Sequence, residues 1–229
     1  MDIPAIKKHV AYHAVVTNCC RAGPCNEMFK PQVARKNLKQ YRKKGLGAIE
    51  RRMVASIPAK ELDGARVLEI GGGIGAIQAE LLASGAREGE IVELVPAYES
   101  YARELAQERG LEGRSRFRVA DVLAQPDAVA PATIVVLNRV VCCSPDGVRL
   151  TAVAAKLTER MLVCSFPRDR FLVRVVAKLI NGAQRLMGRS FRVFLHPEAS
   201  LRAAVQDQGF VVSEAGRNIA WEFMAFRRV

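Results

Sequence analysis

From residue 61 onward, short apolar runs alternate with amphipathic stretches, and this alternation sets the expected fold. Runs of strand length occur at 66–70, 90–94, 116–120, 133–137 and 160–165. Apolar residues at helical spacing predict helices over 74–84, 97–109 and 147–158. Strands separated by helices in this way predict a parallel sheet covered on both faces. A long amphipathic helix is expected over 168–188, and a shorter one over 198–208 after His196-Pro197. Two late apolar runs, 210–213 and 219–226, flank residues 214–218 and predict a hairpin with its turn there. The expected architecture is a doubly wound α/β sheet of seven strands that ends in an antiparallel hairpin.

Residues 1–60 carry helical periodicity and basic charge, broken by a Cys/Gly/Pro stretch near Cys19 to Cys25. They are expected to form an N-terminal helical cap on a main domain spanning 61–229. The chain has 229 residues, half of them hydrophobic, enough for one large core. No apolar run reaches the ~18 residues a bilayer-spanning helix needs. The N-terminus lacks the apolar segment of a signal peptide. A cytoplasmic protein is expected.

The net charge of +12 is uneven. Nine Lys/Arg fall between Lys30 and Arg52 against one acid, Glu50. Such a run is read as a solvated face, as a surface for an acidic substrate, or as a contact for nucleic acid or an anionic membrane. No nucleic-acid-binding module is present and aromatic residues make up only 6% of the chain, so a nucleic-acid partner is not expected. The 168–188 segment interleaves Phe171, Leu172, Val175, Val176, Leu179, Ile180 and Leu186 with Arg168, Arg170, Arg174, Lys178, Arg185 and Arg189. Its position favours a substrate lid; peripheral membrane contact is the other reading of a basic amphipathic helix. Together with residues 1–60 it would enclose an apolar, basic-rimmed cavity suited to a small hydrophobic organic acid.

The stretch with most chemical content is Val67-Leu68-Glu69-Ile70-Gly71-Gly72-Gly73-Ile74-Gly75. Glycines between a strand and a helix allow a tight turn and let a ligand press against bare main chain. Glu69 places a carboxylate where a cationic group would be welcome. Gly71-x-Gly73-x-x-Ala76 also satisfies the dinucleotide-binding pattern. Glu93 ends the second strand 22 residues after Gly71, a spacing at which a carboxylate can hold ribose hydroxyls. The third strand ends on Asp121-Val122, within reach of an adenine edge. Read from these residues alone, both cofactor classes stay open.

Glu69-x-Gly71-x-Gly73-x-Gly75, with Glu93 and Asp121, resembles the cofactor motifs of class I S-adenosylmethionine-dependent methyltransferases over roughly residues 60 to 229. The resemblance implies a Rossmann-like fold and S-adenosyl-L-methionine as cofactor. It implies Glu69, Gly71, Gly72, Gly73 and Gly75 at the methionine part, Glu93 and Leu94 at the ribose, Asp121 and Val122 at the adenine, and Asn138 at the end of strand four. The implied activity is methyl transfer (class EC 2.1.1) to a small organic molecule. A nucleotide-binding oxidoreductase is the alternative, disfavoured by the terminal hairpin. Tyr41 to Arg51 and Phe191 to His196 are similar to segments of magnesium-protoporphyrin O-methyltransferases. In that family a cap tyrosine and a histidine after strand four are implicated in catalysis. Tyr41 matches the first; Cys142 stands at the second. His196 is a further candidate base.

Six cysteines occur without Cys-x-x-Cys spacing. Cys164 lies in a strand pattern. Cys19, Cys20 and Cys25 form one cluster, and Cys142 and Cys143 another. They are read as small buried hydrophobes, or as a thiol site for a soft metal or metalloid on the same fold. A cap folded over the sheet edge would bring the two clusters together. No dedicated metal site is expected.

Overall fold

Val67 and Leu68 are adjacent on strand β1 (Arg66–Ile70), both fully buried, and they belong to different cores. Successive strand residues point to opposite faces, so a strand apolar at every position is covered on both sides. The same split separates Ile134 from Val135 on β4 (Ala132–Asn138) and Val163 from Leu162 and Cys164 on β5 (Thr158–Pro167). The computed structural model describes residues 22–229. With β2 (Glu88–Glu93), β3 (Ser115–Val119), β6 (Phe210–Arg217) and β7 (Trp221–Arg228), these strands form one sheet ordered β3-β2-β1-β4-β5-β7-β6. The first five pair in parallel, whereas β7 runs antiparallel to both β5 and β6.

One face is covered by α2 (Pro31–Lys44), α3 (Ala48–Ala55), α5 (Ala76–Ala83) and α6 (Glu99–Glu108), which bury Leu38, Ile49, Met53, Ile77, Leu81 and Leu105. The other is covered by α7 (Gly147–Lys156) and α9 (Glu198–Gln206), through Leu150, Ala154, Leu201 and Val205. The helices of the expected cap thus share a core with the sheet. The remaining α-helices among the described residues are α1 (Ala22–Met28), the single turn α4 (Ala59–Leu62) and α8 (Phe171–Leu186).

Two expectations change. The hairpin turn is not at 214–218: β6 runs on to Arg217, and the chain reverses at Asn218, whose side-chain carbonyl accepts the Ala220 and Trp221 N–H groups at 3.0 and 2.8 Å. Gly216 is a packing glycine, since a side chain there would run into Phe223 and Arg52. A register shift between Val212 and Glu214 absorbs the extra residue. The Cys/Gly/Pro break near Cys25 is also shorter than expected, because Gly23-Pro24-Cys25 lies inside α1. Proline is tolerated in a first helical turn, where its missing N–H leaves no bond unmade. Cys19 and Cys20 lie outside the described residues.

Candidate functional site

The C-terminal edge of the parallel strands opens onto a cavity of about 470 Å³. In open α/β sheets this edge is where ligands bind. The cavity floor is the turn from β1 to α5. Gly71, Gly73 and Gly75 all adopt left-handed backbone, at φ 67°, 56° and 72°. At Gly71 a side chain would also collide with Val140. The turn is therefore bare main chain because nothing else fits.

Two buried carboxylates hold this turn. Glu69 accepts the N–H of Gln78 in the first turn of α5 at 3.1 Å. Burial pushes its carboxyl up to about 8, the Gln78 hydrogen bond opposes the rise, and the neighbouring Glu93 charge adds to it. Glu93 accepts three backbone N–H groups: Gly73 at 3.0 Å, Leu94 at 2.8 Å and Val95 at 3.1 Å. Burial still lifts its carboxyl above the usual range. Glu93 is thus a buried, triply bonded carboxylate and not a solvated charge at a strand end.

Asp121 follows β3 and closes a turn, accepting the Leu123 and Ala124 N–H groups through Oδ1 at 2.9 and 3.2 Å. Asn138 ends β4 and accepts the Ser165 hydroxyl at 2.8 Å; Ser165 Oγ in turn accepts the Arg139 N–H at 3.0 Å. Glu69, Gly71, Gly72, Gly73, Glu93, Leu94, Asp121, Val122 and Asn138 all line the one cavity, together with Tyr41. Gly75 is buried beneath it.

The expected catalytic residues fare differently. The Tyr41 ring walls the cavity, but its hydroxyl donates to Glu80. Burial, and then that carboxylate, raise the phenol well above its ordinary value. It therefore keeps its proton at neutral pH. Cys142 is buried and does not line the cavity; its thiol donates to the Arg139 carbonyl at 3.4 Å. The next residue, Cys143, supplies the thiol at the wall. His196 does not line the cavity either. Its Nε2 lies 2.9 Å from the Ser144 carbonyl, and the ring packs against Gly147, pinning the loop after β4.

Cys25 from the first cysteine cluster and Cys143 from the second share the cavity wall. Among the described residues no group of three His, Cys, Asp or Glu side chains is placed to hold a metal ion. Burial pushes the Cys164 thiol up to about 12, in keeping with a core residue.

Several wall residues have no motif signature. Phe29, just past the end of α1, meets Tyr98 at 6.4 Å and packs edge-on against Phe191 at 5.5 Å, forming an aromatic roof. Asn37 donates to the Tyr98 hydroxyl at 3.3 Å. Arg139, the one described non-glycine residue with positive φ (56°), pairs with Glu50 at 2.8 Å and lies over the Trp221 ring. Glu50 Oε2 is buried at the cavity and has no hydrogen-bond partner. The single acid in a basic run was the available signal for Glu50; its position on α3 was not readable. No residue of α8 lines the cavity. That helix contacts α1, where Gln184 donates to the Met28 sulfur at 3.4 Å.

No protein-family model and no curated protein matches this sequence. Solved structures do match. Magnesium protoporphyrin IX methyltransferase from Synechocystis PCC 6803, with bound SAH (S-adenosylhomocysteine), superimposes with a TM-score of 0.70 at 21% identity, over 90% of this chain and 98% of that one. The fold is that of the class I S-adenosylmethionine-dependent methyltransferases. An O-methyltransferase family protein from Burkholderia thailandensis gives 0.66 at 18% identity, over 88% of this chain and 61% of that one. The cyclase SpnF gives 0.57 at 13% identity, over 79% and 81%. One fold thus carries more than one chemistry, and the activity must be argued from the site. The antiparallel β7 between β5 and β6 also separates this sheet from the parallel 3-2-1-4-5-6 order of dinucleotide-binding domains.

Proposed function

We propose that this protein is an S-adenosylmethionine-dependent methyltransferase acting on a small, largely apolar molecule. The observation that carries the reading is the convergence of the glycine turn, Glu93 and Asp121 on one cavity at the C-terminal sheet edge. The Gly71–Gly73 turn leaves room for the methionine part, with Glu93 and Leu94 at the ribose and Asp121 and Val122 at the adenine. The cofactor supplies an electrophilic methyl on a sulfonium, and the protein's task is to hold an acceptor in line with it.

The part of the cavity beyond the glycine turn carries apolar wall from Phe29, Leu46 and the Tyr41 ring, with Asn37, Gln40 and the Glu50–Arg139 pair as its polar groups. Arg139 suits an acidic group, consistent with a hydrophobic acid. The unpartnered Glu50 oxygen suits an acceptor hydroxyl or amine, whose proton it would take. Incubation with methyl-labelled S-adenosylmethionine and matched carboxylate, phenol and amine acceptors tests the activity and sorts these. Glu50→Gln should slow hydroxyl and amine acceptors by roughly 10²–10⁴-fold and spare carboxylates. No transfer to any acceptor class from a binding-competent protein would contradict the proposal.

Glu69 gives a second readout. Its folded value of about 8 lies above the ordinary 4.5. Its contribution to stability is thus fully present below 4.5 and is lost as pH rises through about 8. Without a ligand the carboxyl holds its proton further up the pH scale than an ordinary glutamate does. A cationic ligand nearby lowers the carboxyl again. Binding of S-adenosylmethionine at pH 7 should therefore release up to roughly one proton, and the uncharged thioether S-adenosylhomocysteine fewer. Calorimetry in buffers of different ionisation heat measures this. Equal release with both ligands would remove Glu69 from the neighbourhood of the sulfonium.

A further inference from the structure

Helix α8 is built backwards for a globular surface. Its inner side is a narrow seam of small and polar residues: Ala177 and Gln184 are buried, and Asn181 donates to the Val193 carbonyl at 2.8 Å and accepts the Val193 N–H at 2.7 Å. Its apolar side faces outward. Leu172 is 71% exposed, Val176 54%, Leu179 68% and Leu186 91%, at steps of four, three and seven residues that keep one helical face. Phe171 at 77% and Met187 at 53% extend the stripe at both ends. An exposed apolar stripe of this length on one helix marks a contact surface.

Charge selects the occupant. Arg170, Arg174, Lys178, Arg185 and Arg189 fall between residues 170 and 189, where there is no acid. At about 100° per residue, Arg174, Lys178, Arg185 and Arg189 gather on one side of the helix, roughly 100–160° round from the centre of the stripe. Arg174 pairs with Asp169; Arg170, Lys178, Arg185 and Arg189 form no ion pair among the described residues. A second copy docked on this face would bring the same basic row against it. Residues 1–21 carry Lys7, Lys8 and Arg21 against Asp2, so they too add like charge. An anionic surface both buries the leucines and neutralises the flank. We infer that α8 is an interfacial helix that seats the protein on an anionic lipid bilayer, its leucines in the acyl boundary and its basic flank among the headgroups. Sixteen residues give a rod of about 24 Å, lying flat. Cys25 of α1 lines the cavity and α8 abuts α1, so an apolar acceptor dissolved in the bilayer would have a short path to it.

Co-sedimentation of the full chain with phosphatidylcholine vesicles, with or without phosphatidylglycerol, tests this. Binding should require phosphatidylglycerol and weaken as salt rises. The net charge alone would produce that much, so the deciding variant is Leu172→Gln/Leu179→Gln/Leu186→Gln, which keeps every charge. It should bind such vesicles roughly tenfold or more weakly, with its circular dichroism and melting temperature intact. Equal binding by wild type and variant would mean charge alone acts and would overturn the inference. So would a wild-type chain that stays in the supernatant with both vesicles. A dimer in light scattering that the variant abolishes would assign the stripe to a second copy.

Discussion

Gly71→Ala is expected to abolish measurable S-adenosylmethionine binding and to destabilise the fold by roughly 2–5 kcal/mol. Two costs combine. The backbone at Gly71 is left-handed at φ 67°, which a Cβ penalises by about 1–2 kcal/mol. The new methyl also collides with Val140, and overpacking of that kind costs about 1–3 kcal/mol. The chain cannot relax freely, because the Gly71 N–H donates to the Val92 carbonyl at 2.8 Å and fixes the turn to the end of β2. Relaxation would lift the loop into the space the ligand needs. Gly113→Ala is the control: its φ is ordinary and nothing lies within 4 Å of the new methyl, so stability should stay within about 0.5 kcal/mol. Chemical denaturation and calorimetry read both variants. A Gly71→Ala protein with wild-type stability and affinity would mean the turn accommodates a side chain at this position.

Glu93→Ala should be nearly as severe. It removes the shared acceptor of the Gly73, Leu94 and Val95 N–H groups and leaves three donors unpaired in a buried setting. Each such loss costs about 1–3 kcal/mol, and partial access of water to the open cavity limits the sum to roughly 3–5 kcal/mol. Ligand affinity should fall by at least ~1–3 kcal/mol, the worth of a hydrogen bond to a charged group, if Glu93 holds the ribose as proposed and the turn loosens. Glu93→Gln keeps one acceptor oxygen and should sit between the two. If Glu93→Ala bound weakly yet unfolded at the wild-type denaturant concentration, its three backbone bonds would carry no stability.

The sheet was legible because its central strands carry apolar residues toward both faces and are set apart by helical spacing. Both properties follow from burial on two faces, as at Val67/Leu68 and Ile134/Val135. Strand ends were less legible, since they depend on partners: β5 gains residues at both ends because β4 and β7 offer it backbone bonds from Ala132 to Trp221. The hairpin turn was misplaced because Gly216 reads locally as a turn glycine while its role is to admit Phe223 and Arg52. The glycine turn, Glu93 and Asp121 were legible as a spacing motif; that Glu93 is buried and triply bonded was not, because its donors come from two loops. Cys143 rather than Cys142 lines the cavity for a one-residue reason, the direction of the short turn Val141–Cys143. Glu50, Arg139 and the Phe29–Tyr98–Phe191 roof converge from distant segments, and one sequence carries no record of which distant residues meet.

The central claim is that the cavity over Gly71–Gly73 takes S-adenosylmethionine and not a nicotinamide dinucleotide. Isothermal titration of the purified chain with S-adenosylhomocysteine, and separately with NAD and NADP, tests it most directly. Saturable binding of S-adenosylhomocysteine at one site, lost in Gly71→Ala and accompanied by a rise in melting temperature from mass action, with no heat from either dinucleotide, is the predicted result. Saturable binding of NAD or NADP, with none of S-adenosylhomocysteine, would contradict it.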